Sequence, residues 1–210
     1  MASTEQIIGA SILATGFMPF QSFRSNPSSR IASALDGRMI AGMPVTSVVL
    51  PVEYAACERF VRDHFDSHRY PIVVLMGLNA RSRRIALERL AVNLEHAVIA
   101  DEADDCATTR TIDPRGPDGI FSNWPVDRLH ARLASEGFPV TVSNSAGTYV
   151  CNALFYRVLR RMSGCEQRDS KVGFVHLPRI SRRIPSDRMM TAIERLIELL
   201  AAEQGDSRNE

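Results

Sequence analysis

Short apolar runs rich in isoleucine and valine recur along the chain: IIGASILATG at 7–16, TSVVL at 46–50, PIVVLM at 71–76, AVIA at 97–100, PVTVS at 139–143 and VGFVH at 172–176. Runs this continuous lack the alternation of a half-exposed strand and predict strands buried on both faces. Between them lie stretches with helical spacing. In EYAACERFVRDHF at 53–65, Ala56, Phe60, Val61 and Phe65 fall on one side. Further helices are predicted over RIALERLAVN, VDRLHARLASEG with Gly137 as its stop, TYVCNALFYRVLRRM, and DRMMTAIERLIELLAAEQ. Strand and helix in alternation imply an α/β fold, a largely parallel sheet between helix layers.

The pattern fails over DEADDCATTRTIDPRGPDG at 101–119, which has no apolar period and carries turn chemistry at Asp113, Pro114, Gly116 and Pro117. A long loop or small hairpin excursion is expected there, either functional or a surface insertion. No repeat or low-complexity linker divides the chain, so residues 1–210 are expected to form a single domain, with the terminal GDSRNE frayed.

Composition supports one sizeable core: 210 residues, 45% hydrophobic and 23% charged, need no disulfide or metal to fold. A formal net charge of +1 offers no large overall field for nucleic acid or an anionic membrane, so neither is expected as a partner. IIGASILATGF has no basic region before it and is too short to span a bilayer. Cys57, Cys106, Cys151 and Cys165 show no CxxC spacing, which argues against a zinc site or disulfide framework and for a reducing, cytoplasmic home.

Reactive side chains in open α/β sheets gather where strands turn into helices. After PVTVS, the small residues Ser143, Asn144, Ser145, Ala146 and Gly147 lead into a helix with Thr148 as its expected N-cap, which puts Cys151 in the first turn. Free N–H groups and the positive helix end there favour a thiolate. A small buried hydrophobe is the competing reading. His176 ends VGFVH before Pro178, where it is either the base a cysteine nucleophile requires or a satisfied core histidine. Glu88, in SRRIALERLAVN, is either a carboxylate that orients an imidazole or half of a solvated helix pair with Arg89.

Six segments in order, ATGFMPFQSFRSNPS, LP at 50–51, ALERLAVN, GPDGIFSNWPV, SNSAGTYVCN and GFVHLP, resemble the pyroglutamyl-peptidase I family of cysteine peptidases, also called pyrrolidone-carboxylate peptidases, across nearly the whole chain. The resemblance implies a three-layer α/β/α sandwich around a largely parallel, mixed sheet. It implies Cys151 as nucleophile, His176 as base and then acid, and Glu88 as orienter. Phe17 and Phe20 match the aromatic walls of the family's pocket for the pyroglutamate ring. The implied reaction is acyl transfer on peptides with N-terminal pyroglutamate, without metal or organic cofactor, in a homo-oligomer, a tetramer or dimer.

Departures from the family pattern fall on specificity. Leu78, in GLNARSRR, stands where the family has a glutamine, Val98 where it has an arginine near the centre, and Gln21 and Ser22 where it has glycines. These leave open a cysteine amide hydrolase of altered specificity, or a catalytically impaired relative. The sequence assigns no role to Cys57, Cys106 or Cys165.

Overall fold

A computed structural model describes residues 10–65, 68–163 and 169–206. Its main sheet holds β1 (Ile12–Phe17), β2 (Met39–Ile40), β3 (Met43–Leu50), β4 (Ile72–Leu78), β5 (Ile85–Glu88), β8 (Val140–Ser143) and β9 (Lys171–Leu177), in the order β2-β3-β1-β4-β9-β5-β8. β3, β1, β4 and β9 run parallel; β5 and β8 are parallel to each other and opposed to β9. A separate hairpin pairs β6 (Leu90–Val92) with β7 (Gly119–Phe121). Part of the expected hairpin excursion is therefore present, and an isolated bridge between Glu95 and Arg110 closes another part of it.

Helices cover both faces, giving the expected three layers. On one side lie α1 (Pro27–Leu35), α3 (Val126–Ser135) and α5 (Ser186–Asp206), on the other α2 (Tyr54–His64) and α4 (Val150–Ser163). Side-chain alternation divides the central strands between two cores. Ile12, Ala14, Ile72, Val74, Met76, Val175 and Leu177 face the first layer, whereas Leu13, Phe17, Val73, Leu75, Val172 and Phe174 face the second. Both faces are thus apolar, which is why these strands read as unbroken runs.

Four sequence expectations are revised or bounded. RIALERLAVN is two strands and not a helix: Ile85 and Leu87 enter the first core while Ala86 and Glu88 project from the other face, a period of two that a short buried run hides. AVIA forms no strand; Val98 is 90% exposed and the segment lies irregularly against the start of α4. The first strand begins at Ile12, and Ile7, Ile8 and Gly9 lie outside the described residues, as do Cys165 and residues 207–210. Helix α1 was not expected, although NPSS carries its signal: the Asn26 side chain accepts the Ser28 N–H at 3.0 Å and Pro27 occupies the first turn. Gly137, in the left-handed region at φ +83°, follows α3 as expected.

Candidate active site

The carboxyl ends of β1, β4 and β9 share one edge of the sheet. Pairing between β1 and β4 ends at Thr15 and Leu75, while β4 stays with β9 as far as Leu78 and Leu177. A crevice therefore opens between the ends of β1 and β4. It lies where the connections from neighbouring strands diverge, β1 leading toward β3 and β4 toward β5.

His176 stands next to this crevice on β9. Its side chain follows Val172 and Phe174 onto the α2–α4 face. Glu88 reaches it from β5: the register sets Glu88 opposite Phe174 and Ala86 opposite His176, so the pair is diagonal across antiparallel strands. Imidazole Nδ1 and carboxylate Oε1 are 2.7 Å apart, with His176 7% and Glu88 1% exposed. With Nδ1 engaged by the carboxylate, Nε2 is the ring atom left to face Cys151, whose thiol acts on the basicity of the imidazole. Burial alone lowers the basicity of this imidazole. The hydrogen bonds and negative charges of Cys151 and Glu88 outweigh that effect and raise it to about 9.

Cys151 is the second residue of α4, one position earlier than a Thr148 cap implies. The first helical bond runs from the Ala153 N–H to the Tyr149 carbonyl, so the N–H of Cys151 precedes the ladder and stays available. Thr148 instead donates its hydroxyl to the His96 carbonyl at 2.7 Å. Because β8 runs opposite to β9, residues 144–149 must bring the chain back to the edge where β4 and β9 end, and Gly147, at φ +81°, turns it there.

Sulfur and strand meet at Gly77. A Cβ placed there would lie 2.7 Å from Cys151 Sγ and 3.0 Å from Phe174 Cζ, so only glycine leaves room for the thiol against β4. Beneath the pair, Phe155, Phe174 and His176 form a run of rings with centroids 5.7 and 4.9 Å apart. Cys57, fully buried on α2, is a packing residue: burial pushes its thiol far up, which keeps it protonated. Cys106 is exposed.

Asn152 was not singled out from the sequence. Fully buried beside Cys151, its side chain accepts the Val92 N–H at 2.9 Å and donates to the carbonyls of Val92 and Leu94, at 2.9 and 3.0 Å. Its signal was its place in VCN, a polar residue on the apolar side of a helix. Tyr149 donates its hydroxyl to the Ala100 carbonyl, and the Glu102 carboxylate accepts the Gln21 N–H, so the 96–102 segment ties the start of α4 to the β1–α1 turn. Buried Glu95, held by Arg110 at 2.6 Å and Arg157 at 2.7 Å, anchors the same segment to α4.

Phe17 is buried at the end of β1 on the Cys151 side, and half-buried Phe20 packs against the same core. Leu78 is turned differently from what a side-chain contact requires. It pairs with Leu177 and shares that residue's face, opposite to His176. The Asn79 N–H bonds to the Leu177 carbonyl, so backbone alternation directs the N–H and C=O of Leu78 toward β1 and the crevice. The peptide group of residue 78 faces the crevice whatever its side chain.

Comparison with known proteins follows the same lines. The family model for pyroglutamyl peptidase matches residues 10–199. The pyrrolidone-carboxylate peptidase of Halalkalibacterium halodurans is 39% identical over 172 residues, 81% of this chain and 85% of that protein. Among solved structures, pyroglutamyl peptidase I of Bacillus amyloliquefaciens superposes with a TM-score of 0.86 at 27% identity, covering 93% of this chain and 98% of that one. Pyrrolidone carboxyl peptidase of Thermococcus litoralis gives 0.89 at 26% identity, covering 95% and 96%.

Proposed function

The chain belongs to the pyroglutamyl peptidase family, a family of omega-peptidase hydrolases, and from that premise we propose that it removes N-terminal pyroglutamate from peptides through Cys151, His176 and Glu88. The observation that carries this reading is the geometry that sets Glu88 Oε1 2.7 Å from His176 Nδ1 and packs the Cys151 sulfur against Gly77, the residue of β4 paired with His176.

The chemistry follows from the charges. His176, whose basicity is raised to about 9, takes the proton of Cys151, and Glu88 at 2.7 Å holds the buried imidazolium that results. The thiolate attacks the carbonyl carbon joining pyroglutamate to the next residue, and the N–H of Cys151 at the helix start stabilises the oxyanion. Collapse breaks the C–N bond as His176 Nε2 gives its proton to the leaving amine. Neutral His176 then takes a proton from water, whose oxygen attacks the thioester. Free pyroglutamate departs and the ion pair returns.

A lactam offers one N–H and one C=O, the same set an unpaired peptide edge can satisfy. The main chain of Leu78 supplies that edge, and Phe17 and Phe20 supply apolar walls for the flat ring. Recognition through the backbone tolerates a leucine where the family has glutamine, and this supports the pyroglutamyl reading over altered specificity. The same reading takes the chain as a single domain acting in the reducing cytoplasm as a homo-oligomer.

The decisive experiment is hydrolysis of a fluorogenic pyroglutamyl amide. The unmodified protein should cleave it, and Cys151→Ala should abolish cleavage with an unchanged unfolding midpoint. Undiminished turnover in that variant would sink the reading.

A further inference from the structure

Six exposed arginines form a collar at the edge of the sheet where β4 and β9 end. Arg81, Arg83 and Arg84 come from the turn between β4 and β5, and Arg179, Arg182 and Arg183 from the segment between β9 and α5. No acidic residue occurs from Gly77 to Leu87 or from His176 to Ser186. Among the described residues, none of the six forms an ion pair. In a chain with a net charge of +1 this is a strong local concentration of one sign. Arg83, Arg179 and Arg183, with Ser82 and Ser181, line a cavity of about 260 Å³ there.

The collar adjoins the proposed pyroglutamate site. The Arg179 guanidinium lies 4.7 Å from the centroid of the Phe23 ring, which is 5.3 Å from Phe20. Phe23 follows β1 and Arg179 follows β9, so their contact passes over the end of the strand between them, β4, whose Leu78 peptide faces the crevice. Among the described residues, none of the carboxylates of the acidic segment 101–105 forms an ion pair with the collar: Asp105 is paired with Arg110, Asp101 accepts the N–H groups of Tyr54, Ala103 and Asp105, and Glu102 accepts that of Gln21.

We propose that the collar recognises carboxylates on the portion of the peptide beyond the pyroglutamyl residue, which makes acidic pyroglutamyl peptides the preferred substrate class. The inference rests on the reading of the site as a pyroglutamyl peptidase. Guanidinium groups match carboxylates in a planar, two-pronged geometry. Exposed charges of this kind act mainly by steering encounter, and salt weakens them. The carboxylate has two sources, an aspartate or glutamate side chain or the C-terminus of a short peptide.

Steady-state cleavage of four peptides separates the outcomes: a neutral pyroglutamyl-Ala-Ala amide, its free-acid form, and amidated forms with Asp or Lys in the third position. At low ionic strength both carboxylate peptides should exceed the neutral amide in kcat/KM by about tenfold, with the Lys peptide lowest. The advantage should collapse in roughly 0.5 M salt. An Arg83→Gln, Arg183→Gln double variant should flatten the acidic-to-neutral ratio, and the salt series on the unmodified protein stands if that variant misfolds. Advantage confined to the free acid or to the Asp peptide identifies the source and supports the proposal either way. Equal kcat/KM for all four peptides at low salt overturns it. So does a short single-stranded RNA that blocks neutral-peptide cleavage when acidic peptides have no advantage, since the collar would then serve nucleic acid. Absence of turnover on every pyroglutamyl peptide would sink the functional reading and this inference together.

Discussion

His176 and Glu88 meet as a diagonal pair across two antiparallel strands, Nδ1 to Oε1 at 2.7 Å, in a sheet whose other central pairings are parallel. The reversed direction of β5 is what aims this carboxylate at the imidazole from the side away from β4. Glu88→Gln preserves the shape of the contact but removes the charge that holds the imidazolium. We expect kcat/KM for a pyroglutamyl amide to fall about 100-fold, with His176 titrating lower by NMR. Unchanged turnover together with an unchanged titration would contradict the assigned role.

The basicity of His176 sets an alkaline limit. In the proposed reaction its proton is given to the leaving amine, so kcat/KM should decline as pH rises through about 9. Stability should follow the same group. A pKa raised above the ordinary 6.5 contributes stability that is complete below about 6.5 and lost as pH rises through about 9. Cys151→Ser removes the sulfur partner that raises His176, so the His176 contribution to the decline in unfolding midpoint should move to lower pH. A profile still level at pH 10 would refute the assignment.

Gly77→Ala tests the packing of the thiol. The added methyl group would lie 2.7 Å from Cys151 Sγ, which must shift because the backbone of β4 is fixed by β9. A displacement near 1 Å at a reacting atom costs roughly 100-fold in rate, so turnover should fall far more than stability. Gly173→Ala gives the contrast: its methyl group would collide with the Trp124 ring in the opposite core, and the expected result is a lowered unfolding midpoint. Equal effects of the two variants on turnover, relative to the folded fraction, would argue against a specific place for the sulfur at Gly77.

Much of this site is legible in the sequence because its side chains are carried by local patterns. Small residues before an apolar helix announce Cys151, and the end of a buried run announces His176. Glu88 was legible as a residue but not as part of a strand, since β5 is four residues long and buried on both faces, where periods of two and 3.6 coincide. Leu78 reads as a departure in specificity because the sequence displays side chains and hides which peptide groups leave the ladder. That information resides in the β1–β4 register, which depends on residues 60 positions apart. Val98 is likewise a non-local case: apolar and strand-like by type, it is exposed because the neighbouring segment is held by Thr148, Tyr149 and Glu95.

Asn152 is the residue whose loss should separate support of the site from its chemistry. Its amide satisfies three backbone groups, two on Val92 at the end of β6 and one on Leu94 two residues beyond, and none of these has water as an easy substitute, since the side chain is fully buried. Asn152→Ala leaves the three groups unpaired beside the start of α4, at a cost of about 2–3 kcal/mol. Asn152→Asp keeps the acceptor for the Val92 N–H but replaces the donor by an oxygen facing two carbonyls, so it should be the more destabilising of the two despite its closer shape. Because the preceding residue is Cys151, both variants should also slow alkylation of that thiol at a temperature where they remain folded. Denaturant unfolding and the rate of labelling by a small haloacetamide report the two effects separately. An Asp variant as stable as the native protein would show that the amide donor carries no weight in holding β6 to the helix.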